Sequence, residues 1–263
     1  MIFKDQLGNE ITLSDFPKRI VSLVPSQTEL LHYLGAGDRV VGITKFCVHP
    51  EEWFRSKMRV GGTKNAKKNV IAELRPDLII GNKEENDKEN ITELAEIAPV
   101  WMSDIFNLAD ALAMIGQIGE ILNETSAAQA LIEKIQRQRQ YFLTKDNPFI
   151  GKTVLYLIWR NPYMAAGKKT FIDDMLTNEM GMHNLLTDER YPELQLEELK
   201  DQPDYIFLSS EPYPFKSKHI AELQAIFPTT KMLLVDGELF SWYGSRLTYT
   251  FEYFEELKKY ASW

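Results

Sequence analysis

Apolar residues come in short blocks separated by polar turns, and the blocks alternate between two periods. Arg19-Ile-Val-Ser-Leu-Val24 is a brief apolar run closed by Pro25, which reads as a buried strand. Ser26-Gln-Thr-Glu29 follows, with Ser26 and Glu29 spaced as a capping box, and the helix it opens through Leu30, Leu31 and Leu34 stops at Gly35. Arg39-Val-Val-Gly-Ile-Thr44 is the next strand, so strand, helix and strand fit into a βαβ unit. Asp77–Gly81 and Pro99–Met102 give two further strands, with helical stretches around 66–74 and 87–97 between them. Residues 1–105 therefore predict one α/β lobe with a mostly parallel sheet.

The middle of the chain changes character. Residues 107–144 contain no proline and two glycines. Asn123–Ser126 interrupts them, and Thr125 or Ser126 can cap a new helix. From about 126 to 143 apolar residues recur at Leu131, Ile135 and Phe142 beside a charged face, as on a long surface helix. Eighteen residues in such a helix span about 27 Å. Three more strands follow, Thr153–Trp159, Asp204–Leu208 and Lys231–Val235. Arg75-Pro-Asp77-Leu-Ile-Ile80 and Gln202-Pro-Asp204-Tyr-Ile-Phe207 echo one another. The fold class expected is α/β, with a lobe over 1–105, a helical segment over 106–148 and a second α/β lobe over 149–263. The two lobes, with mostly parallel sheets, are bridged by one long helix, and a ligand is expected between them.

Composition excludes more than it selects. With 263 residues, 44% hydrophobic and 26% charged, the chain is globular. Its net charge of −8 and lack of a basic tract make it a poor partner for nucleic acid or anionic lipid. The single cysteine, Cys47, allows no intrachain disulfide. No stretch is long and apolar enough for membrane insertion, and the first residues lack the apolar run of a signal peptide. The expectation is a cytoplasmic chain, or one from which a signal has been removed.

The unusual residues sit just beyond the predicted strands, at the edge where open α/β sheets bind ligands. These loops hold Lys45-Phe46-Cys47-Val48-His49-Pro50, Gly61–Asn65, Asn82–Asn86, Trp159–Ala165, Ser209–Phe215 and Asp236–Arg246. Trp159, Tyr163, Tyr213, Phe215, Phe240, Trp242 and Tyr243 follow no helical or strand period, so they either stack on a ligand or plug the rim of the sheet. Arg160 and Arg246 can bind a carboxylate or phosphate, or pair with Asp236, Glu238 or Glu211. Tyr243–Arg246 can open the last helix and turn its amides to an anion. Cys47 and His49 could share a metal, yet two residues make no site, and the plainer reading is a buried thiol and a hydrogen-bonded loop histidine. No metal site is assigned. The nucleotide P-loop, the dinucleotide fingerprint, the Gly-x-Ser-x-Gly elbow and the His-Glu-x-x-His pair are all missing. No catalytic residue and no cofactor of the chain's own are expected.

Arg19–Thr44 (RIVSLVPSQTELLHYLGAGDRVVGIT), VGGTKN at 60–65, RPDLII at 75–80 and QPDYIFL at 202–208 resemble the vitamin-B12/iron-siderophore class of ABC-importer substrate-binding proteins, the helical-backbone metal receptors. The resemblance extends from about residue 18 to 260 and points to a subgroup often called cobalamin-binding. It implies a class III periplasmic-binding-protein fold, a non-enzymatic function, and capture of a metal chelate between the lobes: cobalamin, haem or a ferric siderophore. It also implies an ABC permease partner, an extracytoplasmic location and a monomer. The ligand-binding residues expected are Phe46, Cys47, His49, Asn82, Trp159, Arg160, Tyr163, Glu211, Tyr213, Phe215, Glu238, Phe240, Trp242, Tyr243 and Arg246. Asn82 stands where the B12-binding member has a tryptophan. In Glu238–Trp242 the family's acid is kept in kind, and Trp242 replaces its arginine. Of the surface glutamates that dock such proteins on a permease, the N-lobe position falls on Lys88, beside Glu89, and the C-lobe position near Glu197, so docking through Glu89 and Glu197 is expected. Two alternatives share the fold: a cytoplasmic cobalamin or haem carrier, and an enzyme acting through Cys47, His49, Glu84, Glu85 and Glu211.

Overall fold

The computed structural model describes residues 1–199 and 201–261. Two compact units emerge. The first comprises Met1–Ile105, Ala109–Gln136 and the returning segment Trp242–Leu247. The second comprises Phe106–Leu108, Arg137–Ser241 and the chain from Thr248.

The first unit opens with an antiparallel hairpin of β1 (Ile2–Lys4) and β2 (Glu10–Thr12) that the sequence pattern did not announce. Then come β3 (Ile20–Ser22), α1 (Pro25–Tyr33), β4 (Val40–Ile43), α2 (Glu51–Ser56), β5 (Met58–Arg59), α3 (Lys68–Leu74), β6 (Leu78–Asn82), α4 (Lys88–Leu94) and β7 (Val100–Ser103). The sheet has the order β5-β4-β3-β6-β7, and every neighbouring pair is parallel. Because β3 and β6 are buried throughout, they read as continuous apolar runs. Val21, Val60, Ile71, Ile79 and Leu94 pack one core between this sheet and its helices.

The expected capping box does not form. Pro25 is the first residue of α1, and Val24 caps it without a side-chain bond. Proline suits that position because its absent N–H is one the helix leaves unpaired anyway. Ser26 is buried, and Glu29 is engaged elsewhere. The helix still ends at Gly35, whose φ of 76° is left-handed.

α5 (Leu108–Leu122) and α6 (Thr125–Leu143) are separated at Asn123, which adopts a φ of 59°. α6 starts one residue before the expected bridging helix, and its residues pass from the first unit into the second after Gln136. Gly119 lets α5 approach α6 closely: a Cβ there would lie 2.3 Å from that of Ala128.

The second unit contains β8 (Thr153–Trp159), β9 (Tyr163–Ala165), α7 (Phe171–Asp174) running into a π turn, β10 (His183–Asn184), β11 (Glu193–Leu194), β12 (Tyr205–Ser209), α8 (Ser217–Gln224), β13 (Lys231–Val235), α9 (Glu238–Ser241) and α10 (Leu247–Ala261). β8, β12, β13 and β10 pair in parallel, while β9 and β11 extend the sheet in the antiparallel sense. Alternation along β8 and β12 sorts the two faces. Leu155, Leu157, Ile206 and Leu208 join an aliphatic core with Phe227. Tyr156, Tyr205 and Phe207 belong to an aromatic set with Phe149 and Phe240.

The echoed Pro-Asp segments have a common structural purpose. Asp77 accepts from the amides of Lys18 and Arg19 at 2.8 and 2.9 Å, just before β3. Asp204 accepts from the Thr153 amide at 2.8 Å, at the start of β8. Each aspartate therefore ties the entry of one strand to the neighbouring strand it precedes. Binding to the Thr153 amide, chiefly, holds the Asp204 carboxyl below the usual carboxylate range.

Packing at Gly119 gives a direct test. Gly119→Ala is expected to destabilise the protein by about 1–3 kcal/mol through overpacking. Gly116→Ala, whose Cβ would meet only Ile132 Cδ1 at 3.8 Å, is expected to be neutral or stabilising by about 0.5–1 kcal/mol. Urea denaturation of the two variants checks both signs.

Candidate functional site

In the first unit the β4 loop exposes Phe46 and Val48, with the Lys45 ammonium 4.9 Å from the Phe46 ring. Cys47 between them turns inward. It is fully buried, with its Sγ 3.1 Å from both Thr28 Oγ1 and Thr44 Oγ1, and burial pushes its thiol pKa up. Cys47, one of the expected ligand contacts, thus sits in the interior as a buried thiol. The half-buried His49 packs edge-on against Trp242, with centroids 5.7 Å apart. Among the described residues no three His, Cys, Asp or Glu side chains converge as metal ligands.

Asn82, expected to touch ligand, is 2% exposed and organises the backbone around it. Its Nδ2 donates to Ser103 Oγ at 2.9 Å, and its Oδ1 accepts from the amides of Glu84 and Glu85 at 2.9 and 3.0 Å. Its own amide donates to Asn86 Oδ1, and Asn86 Nδ2 donates to Thr63 O at 2.9 Å. The β6 loop is thereby tied to the Gly61–Asn65 loop. Gly61 is required there, since at its φ of 115° a Cβ would lie 2.7 Å from Asn65 O. Lys64 Nζ donates to Glu84 O. Burial first, and the Glu84 charge second, raise the Glu85 carboxyl pKa, with Lys64 opposing.

Tyr243–Arg246 was expected to open the last helix and turn amides to an anion; α10 begins one residue later, at Leu247. Arg246 binds Glu29 of α1 in a two-point clamp, Nε to Oε2 at 3.0 Å and Nη2 to Oε1 at 2.8 Å. Its guanidinium also lies 4.7 Å from the centre of the Trp242 ring. Tyr243 is buried in this segment, and Gly244 adopts a φ of 118°.

In the second unit Trp159 ends β8 with 39% of its surface exposed, edge-on to Tyr213 at 5.9 Å. Tyr213 leans on Phe215 at 4.9 Å, and its hydroxyl lies 3.3 Å from His219 Nε2. Arg160 donates to Glu222 Oε2 at 2.8 Å and bonds Tyr163, which is half-buried. Glu211 Oε1 accepts from Ser241 Oγ at 2.7 Å, and the Glu238 amide donates to Asp236 Oδ1 at 3.1 Å. These two loops meet at Gly237, where a Cβ would lie 2.3 Å from Ser209 Oγ. Phe215 and Phe240, both in the expected contact set, are buried. Phe215 sits in the aliphatic core, and Phe240 is fully enclosed by Tyr156, Phe207, Tyr253 and Phe254.

Chain position carried no hint of Glu29, Glu222, Ser241 or Ser103. Only the four-residue spacing of Asn82 and Asn86 hinted at a side-chain-closed loop. Glu89, in the first turn of α4, and Glu197, in a short 3-10 turn at Leu196–Glu198, are both exposed. A broad depression of about 870 Å³ is lined by Lys145, Asp146, Asn147, Pro148, Ile150, Glu255, Lys258 and Lys259 and includes none of the candidate residues. No described helix is long and apolar enough to cross a membrane.

Comparison with known proteins adds the family. The family model described as periplasmic binding protein matches residues 20–227. An uncharacterized ABC transporter substrate-binding lipoprotein of Bacillus subtilis is 28% identical over 183 residues, covering 65% of this chain and 57% of the relative; the match thus spans just over half the relative's length. A vitamin B12-binding protein of Pectobacterium atrosepticum is 24% identical over 243 residues, covering 88% and 85% of the two chains. The crystal structure of a petrobactin-binding protein of Bacillus subtilis superposes with a TM-score of 0.79 at 19% identity, covering 100% and 99%.

The loop hydrogen bonds have a pH signature. Tyr253 Oη accepts from the Asp236 amide at 2.8 Å, and burial pushes its phenol up to about 12 from 10.0. Burial also raises the Tyr156 phenol well above its ordinary value. Between pH 10 and 12 the unfolded chain therefore sheds phenolic protons that the folded chain keeps, and stability falls as pH rises. Denaturant midpoints across this window should decline, and Tyr253→Phe should shallow the decline without abolishing it, because Tyr156 remains.

Proposed function

Since the chain belongs to the periplasmic binding protein family, we propose that it captures a metal chelate, either cobalamin, haem or a ferric siderophore, and delivers it to an ABC permease outside the cytoplasm. It does so without chemical turnover. The observation that carries this reading is the placement of aromatic and apolar surface at the carboxyl ends of parallel strands. Trp159 and Tyr213 present it on one sheet, and Phe46 and Val48 on the other. A chelate ring offers flat apolar faces and polar edges. Exposed aromatics on a fixed scaffold bind such faces with little loss of side-chain freedom. The metal arrives within its chelator, so the protein's task is to recognise the outer surface of the complex. The relative described as B12-binding and the neighbour described as petrobactin-binding support this class of ligand.

Titration with cyanocobalamin, haemin and ferric siderophores, followed by visible absorbance and calorimetry, is expected to give 1:1 saturable binding of one of them with a Kd of about micromolar or below. Trp159→Ala should weaken that binding about tenfold or more, as loss of a buried aromatic anchor does. Silence with all three classes would refute the reading.

Delivery to the permease is expected to use the exposed Glu89 and Glu197. Glu89→Arg combined with Glu197→Arg should lower uptake in cells carrying the cognate transporter while leaving chelate affinity unchanged. Unaltered uptake would remove these two residues from the docking surface.

A further inference from the structure

The loop that follows β12 fixes the direction in which one hydroxyl can donate. Tyr213 stands between Pro212 and Pro214, whose rings restrict the backbone on either side. Its amide donates to Ile158 O at 3.3 Å, and its carbonyl accepts from the Phe215 amide at 2.9 Å, so the residue is fastened to the end of β8. Its ring lies edge-on to Trp159 at 5.9 Å and to Phe215 at 4.9 Å. All of these residues belong to the second unit.

His219, the third residue of α8 and 2% exposed, sets that direction. Its Nδ1 lies 2.9 Å from the Lys216 amide nitrogen. An amide N–H can only donate, so Nδ1 is the bare, accepting nitrogen. Burial, chiefly, lowers the imidazole pKa; Glu222 opposes this, and Lys218, Arg160 and Lys216 add to it. The ring is therefore neutral, and its single proton sits on Nε2. Nε2–H donates to Tyr213 Oη at 3.3 Å. The phenol oxygen accepts there, and its own proton cannot be given back to that nitrogen. Among the described residues the Tyr213 hydroxyl has no other hydrogen-bond partner. Its proton is left for water or for a bound molecule.

We infer that the Tyr213 hydroxyl donates to an acceptor oxygen on the rim of the bound chelate, an amide carbonyl or a carboxylate, and that His219 holds the phenol in this donating orientation. This rests on the binding reading above, in which Trp159 takes a flat face of the ligand; the adjoining hydroxyl then meets the ligand's edge. An aromatic face receives any flat apolar surface. A hydroxyl whose oxygen is already engaged tells a rim that bears acceptors from one that presents only donors or hydrocarbon. His219 reaches the ligand only through Tyr213 and is a positioning residue.

The full chain is titrated with cyanocobalamin and ferrichrome, whose rims carry carbonyl oxygens, and with haemin, whose rim carries carboxylates. Each probe that binds is then carried to the variants. Tyr213→Phe keeps the ring and removes only the hydroxyl, and it is expected to weaken binding about three- to tenfold. Whether a carbonyl probe or haemin shows this loss tells which kind of oxygen is met. Two substitutions of His219 separate positioning from helix capping. His219→Gln carries an amide donor to the place of Nε2 and should hold affinity within about twofold. His219→Asn keeps an acceptor for the Lys216 amide but no donor for Tyr213, and should weaken binding about threefold. A merely structural His219 gives the reverse order, because only His219→Asn retains the bond at the start of α8. Added to Tyr213→Phe, His219→Asn should cost nothing further. Unchanged affinity of Tyr213→Phe for every probe that binds overturns the inference and leaves chelate capture standing. The reverse order of the two His219 variants overturns the positioning role. Failure of all three probes with the unaltered protein overturns the inference and the binding reading together.

Discussion

Burial of a parallel sheet on both faces is the constraint from which the candidate site follows. β3, β6 and β12 are buried at every position, so none of their side chains can serve a solvent-borne ligand. Only the strand ends remain available. The amino-terminal ends are occupied by bonds such as those of Asp77 to the Lys18 and Arg19 amides and of Asp204 to Thr153. The carboxyl ends open into the loops that bear Phe46, Asn82, Trp159, Glu211 and Glu238. A ligand-binding edge is thus a consequence of how such a sheet must be covered.

These loops are stiffened by hydrogen bonds between parts of the chain far apart in sequence. Asn82 and Asn86 close the β6 loop and bind it to the Gly61–Asn65 loop. Gly237 permits the β12 and β13 loops to touch, and Ser241 then reaches Glu211. Arg246 fastens the Trp242–Leu247 segment to α1. Each contact lowers the entropy a ligand would otherwise have to remove, which is how a preformed surface gains affinity.

Particular residues show where sequence reasoning reached and where it stopped. The strand at Leu78–Asn82 is legible as a run of apolar residues after Pro-Asp, and Gly35 as the end of α1, because both depend on neighbours in the chain. Ser26 and Glu29 matched a capping pattern that Pro25 pre-empted, and Glu29 went to Arg246 instead. Loop aromatics divided in a way no local signal foretold. Trp159 stayed half in solvent, while Phe240 entered the aromatic core beside Tyr156 and Phe207. Cys47 and Phe46 are adjacent, yet one is fully buried and the other half exposed.

The sequence by itself determined the main parallel strands and the helices between them, the α/β class, the long helix that became α6, and the loops that follow those strands. Periodicity and turn residues are short-range properties, and they survive without knowledge of the folded chain. Tertiary structure alone decided which loop residues face outward and which acids meet which arginines. Glu29 lies 217 positions from Arg246, and Glu222 lies 62 from Arg160. Such pairings are selected by the geometry of packed elements and by the cost of burying a charge alone, and neither is written in any local stretch of residues.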